Sequence, residues 1–529
     1  MRASSLIASS LALIATLLPT QAHAASAWED ESGLTQLRSE LGSSTPTGEG
    51  VRVSMAEAPV GGGYYPQSGG PDNFAGTGAD NYLGITFLPQ SGAQAYSSHA
   101  AGVASRFFDR SSGIAPGITE VLLFTANDYL VWAQNNAAGN PIVDTGRVHN
   151  SSWIGAAQET ADNITLINAL DASAINQGAL HCVGINNSTV SVPILNTHGY
   201  NNLSVGKKDG NHSYGTTGAD YPGPGRMKPD LTGASTTSSN TTPEVAGCAA
   251  LLFETVDKNS SLSNANDPNV IRAILLTGAS KSGLPQWNRA DQSKPYDTVF
   301  GAGQVNVYNS YHVLTGGEQP PSETTPAALK GWAKPNSVAT QQFLIRIPEG
   351  SYADELAITL SWFRRQDGRD TGTGTSERDD LHVILYSRDT QGTLTEIDRC
   401  QSPVDNVQHI FRRNLEPGDY LIEVPEVSYT LRRRTRGFEY ALAWRAELGA
   451  GPQQSTTAGQ PGTINFSNLD PAAGYTVERS TSLESPSWTT VGSLPAGERF
   501  SATFTDPAPP TDRAFYRIRW TQPTTPAAP

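Results

Sequence analysis

The sequence predicts a multidomain chain: an α/β unit on a mostly parallel sheet, followed by two all-β units. Three observations predict this. Up to about residue 315, strand-like and helix-like runs alternate, as they do where helices cover a parallel sheet. Beyond a polar, proline-rich segment at 316–326, apolar and polar residues alternate between turn signals such as Pro417-Gly418-Asp419, which is the pattern of antiparallel sandwiches. A length of 529 residues also exceeds what one hydrophobic core organises, so two to four domains are expected.

The elements follow in order. Residues 1–24 carry the marks of an export signal: Arg2, an apolar run at 6–18, and Ala22-His23-Ala24 as a small-x-small cleavage site. That run is too short to span a bilayer, and no later segment is long enough. The expectation is an exported chain, extracellular or periplasmic, without a membrane span. Leu34, Leu37 and Leu41 are spaced for a short amphipathic helix lying on the first unit. Strands are expected at 51–56, 121–124 and 178–185. Helices are expected at 99–108, 128–136, 164–176, 239–254 and 268–277. These define an α/β unit over 25–315, with 316–326 as a linker.

A β-sandwich is expected over 327–448, from strands at 342–347, 356–362, 381–386, 419–424 and 440–445. Leu448-Gly449-Ala450-Gly451-Pro452 marks a second break. A smaller β unit then runs over 449–521, with strands at 463–466, 475–480, 489–492, 500–504 and 514–520. The Pro/Thr/Ala-rich tail at 522–529 reads as disordered.

The formal net charge of −14 argues against nucleic acid as a partner. The basic run Arg432-Arg433-Arg434-Thr435-Arg436 reads as a solvated hairpin tip. Three cysteines do not make a disulfide framework. Cys182 and Cys248 read as buried free thiols, with a bridge between them as the alternative. CxxC, HExxH and His-rich tracts are all missing, so no zinc site is indicated.

The segment from Thr237 to Gly247 is the most informative. It places Ser239 at the mouth of a small-residue apolar run, with Pro243 read as lying in the helix's first turn. A serine there is either an ordinary N-cap or a nucleophile, because free N–H groups at a helix start favour developing negative charge. Nucleophilic chemistry needs a base, an acid to orient it and an oxyanion donor. His99 follows two serines that can cap a helix. Glu57 ends the 51–56 strand, and active groups in open α/β sheets gather beyond the carboxyl ends of strands. Asn186 follows the apolar run at 179–185, with a side-chain amide able to donate. Taken singly these are a structural histidine, a strand-end carboxylate and a turn residue.

Their order, carboxylate then histidine then asparagine then serine, makes residues 26–315 resemble a subtilase, a subtilisin-like serine peptidase. The segment from Gly50 to Glu57 resembles the strand ending in the catalytic acid. Ser98-His99-Ala100-Ala101-Gly102-Val103-Ala104 resembles S-H-G-T-H-V-A. Asn150-Ser151-Ser152-Trp153 resembles the substrate-binding strand N-M-S-L. Lys228-Pro229-Asp230-Leu231 matches K-P-D-[IV]. Thr237 to Gly247 resembles G-T-S-M-A-T-P-H-V-A-G. Gly301-Ala302-Gly303-Gln304-Val305-Asn306 resembles a late G-x-G-x-V-N motif.

The resemblance implies peptide-bond hydrolysis by an acyl-enzyme route. Ser239 would be nucleophile, His99 base, Glu57 the orienting acid and Asn186 the oxyanion donor. Its primary specificity pocket would be walled by Ser152, Trp153 and Ile154 and by Val183, Gly184 and Ile185. Ile154 and Ile185 would replace glycines and narrow that pocket toward small side chains. No cofactor is required; structural calcium enters only through the family. Residues 327–448 resemble jelly-roll or P-domain-like modules, through 379–386 and Leu415-Glu416-Pro417-Gly418-Asp419-Tyr420. Residues 449–521 loosely resemble a fibronectin type III-like module, through 475–480 and 515–519. Such modules would bind polysaccharide or cell-surface protein beside a protein or peptide substrate, on a monomeric chain.

The sequence also departs from the family pattern. Glu57 replaces aspartate, moving the carboxylate by about 1.5 Å. Asp72 and Asp80 are rival acids, though neither follows a strand. Glu244 stands in place of a histidine. In the A-G-N motif a one-residue slip puts Asn187 in the oxyanion role instead of Asn186. This erosion keeps a second reading open: a subtilase-fold protein that has lost activity and binds peptides or surfaces.

Overall fold

A computed structural model of the chain describes residues 26–59, 62–66, 79–139, 146–284, 287–364, 381–426, 439–457, 460–470, 473–484, 486–495 and 501–521. The export signal, Asp72, the basic run 432–436 and the tail 522–529 lie outside the described residues.

The first unit is built on parallel strands β1 (Val53–Glu57), β2 (Thr86–Pro89), β3 (Glu120–Thr125), β4 (Val148–Ser151), β5 (Leu180–Gly184) and β6 (Asn202–Gly206). A short antiparallel pair follows, β7 (Gly215–Thr216) and β8 (Met227–Lys228), and then β9 (Leu231–Thr232). The sheet order is β2-β3-β1-β4-β5-β6-β9. Every residue of β1 is buried, as expected of a parallel strand covered on both faces. β1 lies between β3 and β4. The chain runs from β1 to one side of the sheet through β2 and β3, and to the other through β4. The carboxyl end of β1 is therefore at the point where the strand order reverses, where α/β sheets open a crevice.

Helices α1 (Ala27–Glu31), α2 (Leu34–Leu41), α3 (Ser98–Phe107), α4 (Ala126–Ala137), α5 (Thr160–Gln177), α6 (Ser238–Lys258), α7 (Pro268–Gly278) and α8 (Val307–Thr315) cover this sheet. Leu34 and Leu37 of α2 are buried, and Leu41 packs on the main core, so the N-terminal helix lies where its apolar stripe predicts. α6 runs through the core. Its Gly247 packs on Ile114, where a Cβ would come within 2.5 Å of the Ile114 Cβ. Pro243 is the sixth residue of α6, beyond the first turn where the sequence reading put it. It removes an N–H that would otherwise reach the Ser239 carbonyl. β2 and β6 have no counterpart in the sequence reading. They are four and five residues long, and β6 (Asn-Leu-Ser-Val-Gly) has no apolar run to mark it.

A β-sandwich follows. One sheet joins Ser322–Pro326, Gln341–Ile347, Gly418–Val424, Val383–Arg388 and Leu394–Cys400. The other joins Lys330–Ala333, Ala441–Gly449, Tyr352–Ser361 and Val407–Arg412. Inward residues of both meet in one core, with Phe343 and Trp444 at 5.2 Å between ring centroids. The segment 316–326 is not a free tether. Ser322–Pro326 pairs with the sandwich, Gln319 N–H donates to the Trp332 carbonyl, and the Trp332 indole N–H donates to the Leu314 carbonyl. Its backbone groups find partners despite the Pro-rich composition.

The sandwich docks on the first unit through buried polar contacts. Met227 N–H donates to Asp405 Oδ1 at 2.9 Å, and the Asn406 amide donates to the Tyr200 carbonyl at 3.0 Å. The third unit has two three-stranded sheets closing on Ile464, Phe466, Tyr475 and Val477. Cys182, Cys248 and Cys400 are buried and unbonded to one another.

Candidate active site

Three elements bring three side chains together. β1 ends on Glu57. α3 starts beside Ser97, whose hydroxyl caps it by accepting from the Ala100 N–H, and His99 is its second residue. α6 starts at Ser238, and Ser239 is its second residue. His99 Nδ1 lies 2.6 Å from Glu57 Oε2, and His99 Nε2 lies 2.9 Å from Ser239 Oγ. A carboxylate only accepts, so Glu57 holds the proton on Nδ1. Nε2 is then left to accept the Ser239 hydroxyl. The glutamate's extra methylene does not break the contact. Of the rival acids, Asp80 sits in the 3-10 turn Ala79–Tyr82 rather than at a strand end.

Glu57 is fully buried, and its Oε1 has no hydrogen-bond partner among the described residues. Burial pushes its carboxyl above the usual range, and the bond and charge of His99 oppose this. The His99 imidazole is held above its ordinary value, chiefly by the hydrogen bond to Glu57 and partly offset by burial. Its side chain is 33% exposed, while that of Glu57 is fully buried.

The mouth of α6 supplies donors. The first N–H groups of a helix have no intrahelical acceptor. Ser238 N–H donates to Asn187 Oδ1 at 2.7 Å, and the Asn240 and Thr241 N–H groups both donate to the Thr237 carbonyl. The Ser239 N–H meets no acceptor among the described residues. Thr242 Oγ1 donates to the Ser238 carbonyl at 2.7 Å, fixing the first turn from within.

The expected donor, Asn186, is not the residue at this mouth. Asn186 Oδ1 accepts the N–H and hydroxyl of Ser188, which closes a turn, while its main chain pairs with Ser213. Asn187 is the residue against Ser238. It is exposed, its Nδ2 has no partner among the described residues, and Lys207 Nζ donates to its carbonyl at 3.3 Å. The displacement is the one-residue slip: β5 ends at Gly184, and the turn spends one more residue before reaching α6.

The expected pocket residues divide. Gly184 lies against α6, where a Cβ would meet Thr242 Oγ1 at 3.2 Å and the Ser151 carbonyl at 3.5 Å. Ser152 is buried and accepts from the Asn150 amide; Trp153 and Val183 are buried. Ile154 is 44% exposed. Ile185 is 1% exposed, and the slip that brings Asn187 forward puts Asn186, not Ile185, at the glycine position of the motif.

Two other motifs meet behind the site. The Asp230 carbonyl accepts the Ala302 N–H, and Val305 N–H donates to the Thr232 carbonyl. A Cβ at Gly301, where φ is +58°, would come within 2.4 Å of that Asp230 oxygen. The buried Asp230 carboxylate binds Lys228 Nζ at 2.8 Å and the Ser204 hydroxyl at 2.7 Å. These contacts anchor β9, which leads into the Ser239 loop.

Sequence reasoning gave Glu244 no role. It is fully buried, accepts from the Ala234 and Ser235 N–H groups, and is pushed up to about 7 by burial against those bonds and Arg106. The available signal was a carboxylate opening the apolar run 245–253, since a buried carboxylate must find donors. No cluster of three or more His, Cys, Asp or Glu side chains is placed to hold a metal among the described residues. No helix among them is long and apolar enough to cross a membrane.

No family model and no curated protein matches the chain. Among solved structures it is similar to the prenylagaramide maturation protease PagA, at 19% identity over 53% of this chain and 97% of that one, with a TM-score of 0.36. It is similar to the PatG macrocyclase in complex with peptide, at 14% identity over 55% and 98%, with a TM-score of 0.38. It is also similar to MycP1 from Mycobacterium smegmatis, at 16% identity over 59% and 90%, with a TM-score of 0.35.

Proposed function

We propose that the chain is an exported serine endopeptidase. The observation that carries this is the pair of hydrogen bonds from Glu57 through His99 to Ser239. Ser239 Oγ attacks the peptide carbonyl, and its proton passes to His99 Nε2. The oxyanion takes hydrogen bonds from the Ser239 N–H and the Asn187 amide. His99 then gives its proton to the leaving amine, and water hydrolyses the acyl-enzyme by the same groups in reverse roles. Glu57 orients the imidazole and stabilises its charged form.

What favours catalysis over a binding-only chain is that the departures from the family pattern leave both hydrogen bonds intact. Exposed Ile154, where the family has glycine, favours small side chains before the scissile bond. A peptide-library profile led by large aromatic residues there contradicts that preference. The activity is tested with a chromogenic peptide ester. One equivalent of leaving group per chain should appear as a burst, and none from Ser239→Ala. Release of terminal residues alone from a long peptide would rule out endopeptidase action. Export predicts a secreted chain whose N-terminal sequencing starts at Ala25.

A further inference from the structure

The second turn of α6 carries a buried carboxylate that spans the segment leading into the nucleophile position. Glu244 Oε2 accepts the N–H groups of Ala234 at 2.9 Å and Ser235 at 3.2 Å, and its Oε1 accepts the Ser235 hydroxyl. Ala234 and Ser235 lie between β9 and Thr237. Thr237 occupies the N-cap position of α6 but makes no side-chain capping bond. Only three residues separate Ser235 from Ser239. The same segment is held from its other end at Gly233, where a Cβ would come within 2.5 Å of the Thr241 Cβ.

We propose that Glu244 is a positioning residue for Ser239: it clamps Ala234 and Ser235 to the second turn of α6 and so sets the direction in which Ser239 Oγ faces His99. This rests on the reading of Ser239 as the nucleophile.

The clamp acts through three donors more than through charge. Among the described residues, the one cation that makes an ion pair with Glu244 is Arg106, whose Nε on the histidine-bearing helix α3 stands 4.0 Å from Oε1. A glutamine would keep the pattern. Its carbonyl oxygen accepts both N–H groups, and its amide donates to the Ser235 hydroxyl, which can accept. An alanine leaves the buried Ala234 N–H and the partly buried Ser235 N–H without this acceptor and frees the entry to the helix. A nucleophile displaced by about 1 Å loses on the order of a hundredfold in rate.

The test uses the full chain and a fluorophosphonate probe. The second-order phosphonylation rate is measured per folded molecule, with the folded fraction taken from circular dichroism, together with kcat and KM on a peptide. Glu244→Ala is expected to slow phosphonylation and kcat roughly ten- to a hundredfold with KM little changed, and Glu244→Gln to stay within about threefold of wild type. A purely structural role would lower the folded fraction and leave the rate per folded molecule intact, which would overturn the proposal. A glutamine variant as slow as the alanine variant would overturn it too. If Glu244→Ala does not fold, Ser235→Ala removes one arm of the clamp; a severalfold slower rate is expected, and a wild-type rate overturns the proposal. A folded wild type that is not labelled at Ser239 overturns the nucleophile reading and this role with it. A labelled wild type with an unaffected Glu244→Ala overturns this role alone.

Discussion

The two flanks of His99 are built in opposite ways. On the acid side Glu57 ends a central strand held by parallel neighbours on both edges, and the side chain has no exposure to solvent. On the serine side Asn187, the proposed oxyanion donor, is exposed, on a turn closed by Asn186 and Ser188 and tethered through Ser213 and Lys207. In the proposed mechanism the acid is placed by a paired central strand, and the oxyanion donor by a loop. On the first flank the longer side chain of Glu57 is absorbed inside a buried strand end, whereas on the second a residue shift is absorbed by an exposed turn. The motif slip lies on that turn.

The comparison can be broken in order of expected effect. Ser239→Ala or His99→Ala should lower kcat by about a million-fold, because the two act as a unit. A loss below a hundredfold in either would mean that the central pair does not carry the chemistry. Glu57→Gln comes next, with a fall of about ten-thousand-fold if the buried carboxylate fixes the imidazole tautomer. A change below tenfold would show the buried flank to be dispensable.

The pH profile sharpens the same point. His99 must be neutral to act as base, and Glu57 raises its pKa above the ordinary 6.5. The rate of phosphonylation should thus fall as pH drops through that raised pKa. In Glu57→Gln the raising bond is lost, so this limb should move to lower pH. A limb that stays in place would assign it to another group.

The loop flank predicts smaller effects. Asn187→Ala should lower kcat about a hundred- to a thousandfold with little change in KM. Asn186→Ala, which loosens only the turn, should cost severalfold. The reverse ranking would restore Asn186 as the donor.

The flanks also differ in how far they could be read from sequence. The strand before Glu57 shows as an apolar–polar alternation, Val51-Arg52-Val53-Ser54-Met55, with a carboxylate at its end, and the small-residue run after Ser239 marks a buried helix. Both signals come from periodicity and burial, and the structure bears out both elements. Asn186 and Asn187 are adjacent identical residues in a turn. No period distinguishes them, and only the contact with Ser238 does. Glu244 was legible as an anomaly but not as a clamp, because its donors Ala234 and Ser235 are main-chain groups that leave no mark in side-chain patterns. Ser322–Pro326 was hidden for a related reason: its composition reads as a linker, while its strand pairing depends on a partner at Phe343 and Leu344.

The most direct test is mass-spectrometric mapping of a fluorophosphonate adduct on the folded chain at pH 8. The account predicts one adduct, on the Ser239 side chain, absent from Ser239→Ala and from His99→Ala. A folded wild-type chain with no adduct, or with its adduct on another serine, would contradict it.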